Sequence, residues 1–240
     1  MITSRKTSAK IRRIHRYLGV FLGLQFLFWT FSGLYFSWTD IDEIHGDQFR
    51  RIPPLESDFF DLIAPVIPSL AKIHQLELKS IAGKPYYWVN DSVLVDARSG
   101  KVKPGISEIE ALQVASSYMQ PHLKVTEVKR ITSVGPHHEY RGRSLPAFEL
   151  SYEGPEELKA YVSERDGQFQ TIRYRSWRWF DFLWMTHTMD YQGRDNFNTL
   201  LLRVFSLMGL FTVLSGFLLW GVSSPTFRKL IQKCKRNRDE

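Results

Sequence analysis

YLGVFLGLQFLFWTFSGLYFSW, residues 17–38, is a run of 22 residues without one charge. Coiled as a helix it is roughly 33 Å long, enough to cross a hydrocarbon core of about 30 Å. A second apolar run, 200–222, matches it apart from Arg203 near its start, where a long cation can snorkel to the headgroups. The fold reading follows: two transmembrane helices flanking one folded domain that occupies the mixed-composition stretch between them.

Charge then orients the chain. Residues 1–16 hold six basic side chains and no acid, and the tail after Val222 holds six against Asp239 and Glu240. Together these ends carry +10 of a net charge of +7, which leaves residues 17–222 at −3. By the positive-inside rule both termini are cytoplasmic and the domain lies across the membrane from them. The basicity belongs to the two ends, so it points to anionic lipid headgroups as partners and away from nucleic acid. The apolar core of the first run exceeds the ~7–15 residues of a signal peptide and lacks a small-x-small cleavage site, so it reads as an uncleaved anchor. The only cysteine, Cys234, falls in the cytoplasmic tail, and the external domain must hold together without a disulfide.

Between the runs, turn signals divide the chain. Residues 39–48 read as a polar continuation of the first helix, ended by Pro53 and Pro54, and 58–75 as a broken helix around Pro65 and Pro68. Strand-like runs at 86–90 and 92–96 end at a turn, 98–101. Ser107 followed by Glu110 is a capping box, opening a helix with Ile109, Leu112, Val114, Ala115 and Met119 as its buried stripe. Stretches 124–134, 147–152, 158–163 and 168–174 alternate as strands, with a hairpin turn at 164–167 where Gly167 supplies positive φ. The sum is an α+β module, one helix packed on an antiparallel sheet.

These residues carry a resemblance. The order of helix and strand, then LPAFEL (145–150), AYVS (160–163) and Asp166-Gly167, resembles a PepSY domain. The flanks resemble the PepSY-associated transmembrane family, through His15-Arg16-Tyr17-Leu18-Gly19 before the first helix and FDFLWMTHTMD (180–190) before the second. The implied layout is a basic N-terminus (1–16), a first transmembrane helix (17–38), a linker (39–60), a PepSY-like periplasmic domain (61–174), an aromatic pre-membrane helix (175–198), a second transmembrane helix (199–222) and a basic tail (223–240).

Some members of that family are ferric-siderophore reductases in which transmembrane histidines bind haem b, and others use the domain as a binding or peptidase-inhibiting module. Those reductases carry more helices than the two read here. The resemblance therefore implies an iron-linked electron-transfer component that works as a homodimer or with a multi-helix subunit. The rival is a membrane-anchored sensor, peptidase inhibitor or assembly module without enzymatic activity.

Three histidines are the cofactor-binding candidates. His15 precedes Gly19 and Gly23 at four-residue steps, leaving room on that helix face for a flat macrocycle; close helix packing explains the same glycines equally well. An interfacial headgroup contact is the plain reading of His15. His187, on a helix spanning 179–191, shares a stripe with Phe180, Leu183, Trp184 and Tyr191, an aromatic wall carrying one nitrogen ligand. An interfacial aromatic belt accounts for that stripe as well. His45, amid Asp42, Glu43 and Asp47, is the intrachain candidate for the position opposite His187, or an ordinary solvated side chain. His15 cannot fill that position, because a helix about 30 Å long separates the two levels.

The remaining motifs point to structure. His137-His138-Glu139 sits in a loop where neighbouring side chains diverge, which hinders chelation. Asp40, Asp42, Glu43 and Asp47 read as a solvated acidic cluster. Ser32-Gly33 and Ser215-Gly216 recur in the two apolar runs at opposite depths and read as packing positions. The metalloprotease, nucleophile-elbow, Cys-x-x-Cys and phosphate-loop motifs are all missing, so the chain has no autonomous catalytic constellation.

Overall fold

The computed structural model describes residues 5–53, 58–67 and 72–224. In chain order it contains α1 (Arg5–Trp38), α2 (Ile41–His45), a 3-10 turn (Asp47–Phe49), β1 (Leu76–Ile81), β2 (Lys84–Val89), β3 (Val93–Asp96), β4 (Val102–Lys103) and α3 (Glu108–Tyr118). Then come β5 (Val125–Ile131), β6 (Ala147–Tyr152), β7 (Lys159–Ser163), β8 (Phe169–Arg173), α4 (Arg175–Thr188) and α5 (Leu200–Ser223). Two units result: Met1–Trp38 with Phe182–Glu240, and Thr39–Asp181. The tail with Cys234 lies outside the described residues.

The helical unit is built on α1 and α5, each long and apolar enough to span a membrane. Along α5 the sheltered positions include Leu202, Phe205, Gly209, Thr212, Gly216 and Leu219, alternating steps of three and four residues. That 3.5-residue period keeps one seam turned toward α1, as in a coiled-coil pair. The helices run antiparallel: His15, early in α1, meets Ser215 late in α5, while Phe21 further along α1 stacks on Phe205 near the start of α5 with centroids 5.7 Å apart. They approach closely at Gly209, where a Cβ would lie 3.1 Å from the Phe26 ring. Outside the seam Leu24, Leu27, Phe211 and Phe217 are exposed, an apolar surface whose natural solvent is lipid.

The Thr39–Asp181 unit contains two four-stranded antiparallel sheets, ordered β1-β2-β3-β4 and β5-β6-β7-β8, with α3 beside them. Its core joins Ile81, Tyr86, Trp88 and Leu94 of the first sheet to Ala111, Val114, Ala115 and Met119 of the helical segment and to Phe148, Leu150, Val162 and Ile172 of the second. The capping box is complete, with the Ser107 hydroxyl accepting from the Glu110 N–H and the Glu110 carboxylate accepting from the Ser107 N–H at 2.7 Å. Within the expected stripe, Ile109 is 69% exposed and Ala111 takes the buried position. Helix geometry explains this: Ala111, Val114, Ala115 and Tyr118 follow one face, and Ile109 lies off it.

Residues 39–48 do not continue the first helix, which ends at Trp38 before the separate α2, and two further expectations change. The first sheet begins one strand earlier, with β1, joined to β2 by a hairpin in which Ala82 and Gly83 both take positive φ. The described part of 58–75 is not helical. Asp61 has φ +59 and Pro65 has no N–H to donate, so the segment lies extended along the β3–β4 hairpin, Ile63 N–H donating to Ala97 O and Val66 N–H to Gly100 O.

Residues 39–53 pack into this unit. Asp40 caps α2, and Gly46 ends it at φ +87, where a Cβ would stand 2.8 Å from Ile172 Cγ2. Only glycine suits both that conformation and that approach. At the β7–β8 turn Gly167 takes φ +67, as the turn reading requires, and lies equally close to Ile81.

Candidate functional site

The helical unit brings each of its two histidines onto a Ser-Gly pair. His15, on α1, places Nδ1 2.7 Å from the Ser215 hydroxyl of α5, and a Cβ on Gly216 would lie 3.4 Å from its Cε1. His187, in the last turn of α4, places Nδ1 2.7 Å from the Ser32 hydroxyl of α1, and a Cβ on Gly33 would lie 4.0 Å from its Cε1. The Ser-Gly pairs do serve packing, and what they pack against is a histidine ring. Since 17 residues of α1 separate His15 from Ser32, the two sites stand roughly 26 Å apart along the helix.

The serine hydroxyls also reach their own helix. Ser32 Oγ lies 2.7 Å from Phe28 O, and Ser215 Oγ lies 2.8 Å from Thr212 O. Among the described residues nothing bonds to Nε2 of either histidine. The His187 ring is walled by aromatics, edge-on to Phe36 at 5.6 Å and 6.4 Å from Trp29. Burial pushes the His187 imidazole below its usual range, which favours the neutral ring.

The end of α4 is held by α1. Its last carbonyls would lack partners in apolar surroundings, and the side chains of α1 supply them: Trp29 Nε1 donates to His187 O at 2.9 Å, and Gln25 Nε2 to Thr186 O at 3.2 Å. The helix stops at Thr188, short of the expected 191, so exposed Tyr191 is not on the His187 stripe. Met189 takes φ +54, and the buried Asp190 carboxylate then accepts the N–H groups of Gln192, Gly193 and Asn196, folding the chain into the turn before α5.

Gly19 and Gly23 face open space: a Cβ on either meets nothing within 4 Å among the described residues. The close approach between the helices falls at Gly209 instead. His45 ends α2 in the other unit, exposed.

The Thr39–Asp181 unit holds a buried polar network that sequence reading did not single out. The Tyr161 hydroxyl lies 2.7 Å from Glu139 and 2.9 Å from Glu149, and Arg178 holds Glu139 while Lys159 holds Glu149. Burial alone pushes the Glu149 carboxyl up, and the bonds from Lys159 and Tyr161 reverse this and leave it below the usual range. Burial pushes the Tyr161 phenol well above its usual range. Arg173, lowered to about 10 by burial, lies over the Trp177 ring at 4.0 Å and bonds Glu139 O and Thr171. Glu139 thus anchors the 132–146 loop, and His138 Nδ1 accepts from the Tyr140 N–H. Every member of the network has a partner inside the domain, the pattern of a structural element. Among the described residues no three His, Cys, Asp or Glu side chains gather in a metal-binding group.

A pair of membrane-length helices and an α+β domain between them in the sequence define a membrane-anchored α+β protein. The chain belongs to the PepSY-associated TM region family, whose model matches residues 1–223. No curated protein and no solved structure matches it.

Proposed function

We propose that this protein is a haem-binding redox component, or a partner, of a ferric-siderophore or iron reductase system in the bacterial inner membrane, with both termini cytoplasmic. The observation that carries the reading is the pair of matching His-Ser units, roughly 26 Å apart, each with an Nε2 that nothing among the described residues engages. The donor chemistry fits: haem iron takes imidazole nitrogen, and a ligating histidine characteristically engages its other ring nitrogen with an oxygen. His15 and His187 would hold one haem b each, and the bound group would supply one-electron exchange.

The chain's own residues do the rest. Ser215 and Ser32 orient the rings, Trp29 and Gln25 fix the backbone that carries His187, and Phe36 and Trp184 exclude water around it. Open space beside Gly19 and Gly23 leaves a bare strip of α1 next to His15. Any further nitrogen donor to the group at each level would come from a second copy of the chain or a multi-helix subunit.

The test is a pyridine haemochrome spectrum of detergent-purified protein expressed with haem supplied. The reading expects b-type haem, reduced by His187→Ala and by His15→Ala. Protein without haem, or haem untouched by both substitutions, refutes it.

One observation favours a second reading, a binding module acting through the domain. Among the described residues β1 pairs along one edge only, with Leu76 and Leu78 exposed, which suits addition of a partner strand. Crosslinking in native membranes should then trap a partner on this edge, and recovery of uncrosslinked chain alone refutes it.

A further inference from the structure

We infer that Ser32 and Ser215 are positioning residues that lock His187 and His15 in the Nδ1–H tautomer, so that the lone pair of each neutral ring sits on Nε2. The inference deepens the haem reading and rests on it for its consequence, though the tautomer itself is a property of the protein alone.

A serine hydroxyl has one hydrogen and two lone pairs. Ser32 Oγ stands 2.7 Å from both Phe28 O and His187 Nδ1, and Ser215 Oγ stands 2.8 Å from Thr212 O and 2.7 Å from His15 Nδ1. A carbonyl has no hydrogen to offer, so the short Oγ···O contact needs the hydroxyl proton. Back-bonding of this kind is ordinary for serine inside a helix. The hydroxyl then presents only lone pairs to the ring, and Nδ1 must bring the hydrogen. This arrangement gives two linked bonds, Nδ1–H···Oγ–H···O=C. The opposite tautomer gives one, leaves the Oγ···O contact without a proton and adds an Nε2–H donor with no acceptor among the described residues. A doubly protonated His187 would place a charge between Trp29 and Phe36 with no carboxylate hydrogen-bonded to it among the described residues.

The two units draw on different helices, with α1 giving the histidine of one and the serine of the other, yet both satisfy the same proton count. Free histidine in water prefers Nε2–H, so the serines hold both rings against the default, in the form that can donate a lone pair from Nε2.

The test uses full-length protein in lipid nanodiscs, labelled with 15N-histidine and free of haem, with His15→Ala and His187→Ala assigning the signals. Wild type should show both rings as Nδ1–H. Ser32→Ala should shift His187 toward Nε2–H and leave His15 unchanged, Ser215→Ala should do the reverse, and Ser32→Thr, which keeps the hydroxyl, should preserve the wild-type signal. In haem-loaded protein, Ser32→Ala should raise the reduction potential of the His187 site alone, because a ring that loses its hydrogen-bond acceptor is a poorer donor to iron. Wild-type rings in the Nε2–H form, or tautomers indifferent to both alanine substitutions, overturn the inference. Protein without haem refutes the redox reading separately, since the nitrogen spectra are recorded without it.

Discussion

Glu110→Gln should destabilise the Thr39–Asp181 unit by about 3 kcal/mol at neutral pH, and the loss should fade in acid. Glu110 sits at the third position of α3, 8% exposed, and accepts from Lys103, Tyr86 and the Ser107 N–H. Burial alone pushes its carboxyl up, but these bonds, led by Lys103, more than reverse the shift and lower the group from 4.5 to about 2. At about 1.4 kcal/mol for each tenfold change in proton affinity that fall corresponds to about 3.5 kcal/mol, which solvent screening of the partly exposed Lys103 reduces to about 3. The folded value lies below the unfolded one, so the contribution is fully present above 4.5 and is lost as pH falls through about 2. Near pH 2.5 only about 1 kcal/mol should remain between wild type and variant. Urea titrations of the full chain in detergent, followed by hydrogen exchange at α3 amides near both pH values, measure the gap. An equal gap at the two pH values would refute the electrostatic account and assign the loss to packing.

Three further outcomes follow from particular contacts. Gly19→Leu should leave thermal stability unchanged, since its side chain enters open space, and should lower haemochrome content if a macrocycle lies beside His15; a destabilised variant with full haem refutes that placement. Asp181→Asn replaces the buried carboxylate that holds the half-buried Arg141 guanidinium with a neutral amide and should cost about 1–3 kcal/mol in the same urea assay, with a cost below about 0.5 counting against a stabilising ion pair. Tyr161→Phe removes the hydroxyl shared by Glu139 and Glu149 and should cost about 1–3 kcal/mol, with faster exchange concentrated in the 132–146 loop. Uniform loss of protection across both sheets would argue against a local role.

The residues legible in advance share one physical trait: their partners are near in sequence or are the solvent itself. The run 17–38 meets lipid along its own length, so its composition reveals the helix. Ser107 and Glu110 cap each other across three residues, and Gly167 closes a turn of four. Strand β6 alternates apolar and polar side chains from Phe148 to Tyr152 and matches its expected bounds. Strand β1 was hidden because its alternating leucines are exposed and its one buried residue, Ile81, falls out of phase with them, although Ala82-Gly83 marks the turn after it. The strap around Pro65 was hidden because its N–H groups answer to carbonyls on another hairpin.

Sequence alone determined that this chain is a two-span membrane protein with an α+β domain between the spans, and that His15 and His187 sit at opposite ends of the helical layout. Only tertiary structure decided what those histidines touch. Ser215 lies 200 residues from His15, and Ser32 lies 155 from His187. Separations of that size leave no periodic trace, because they are set by how antiparallel helices register. That register turns two Ser-Gly pairs from plain packing positions into the partners that orient each imidazole.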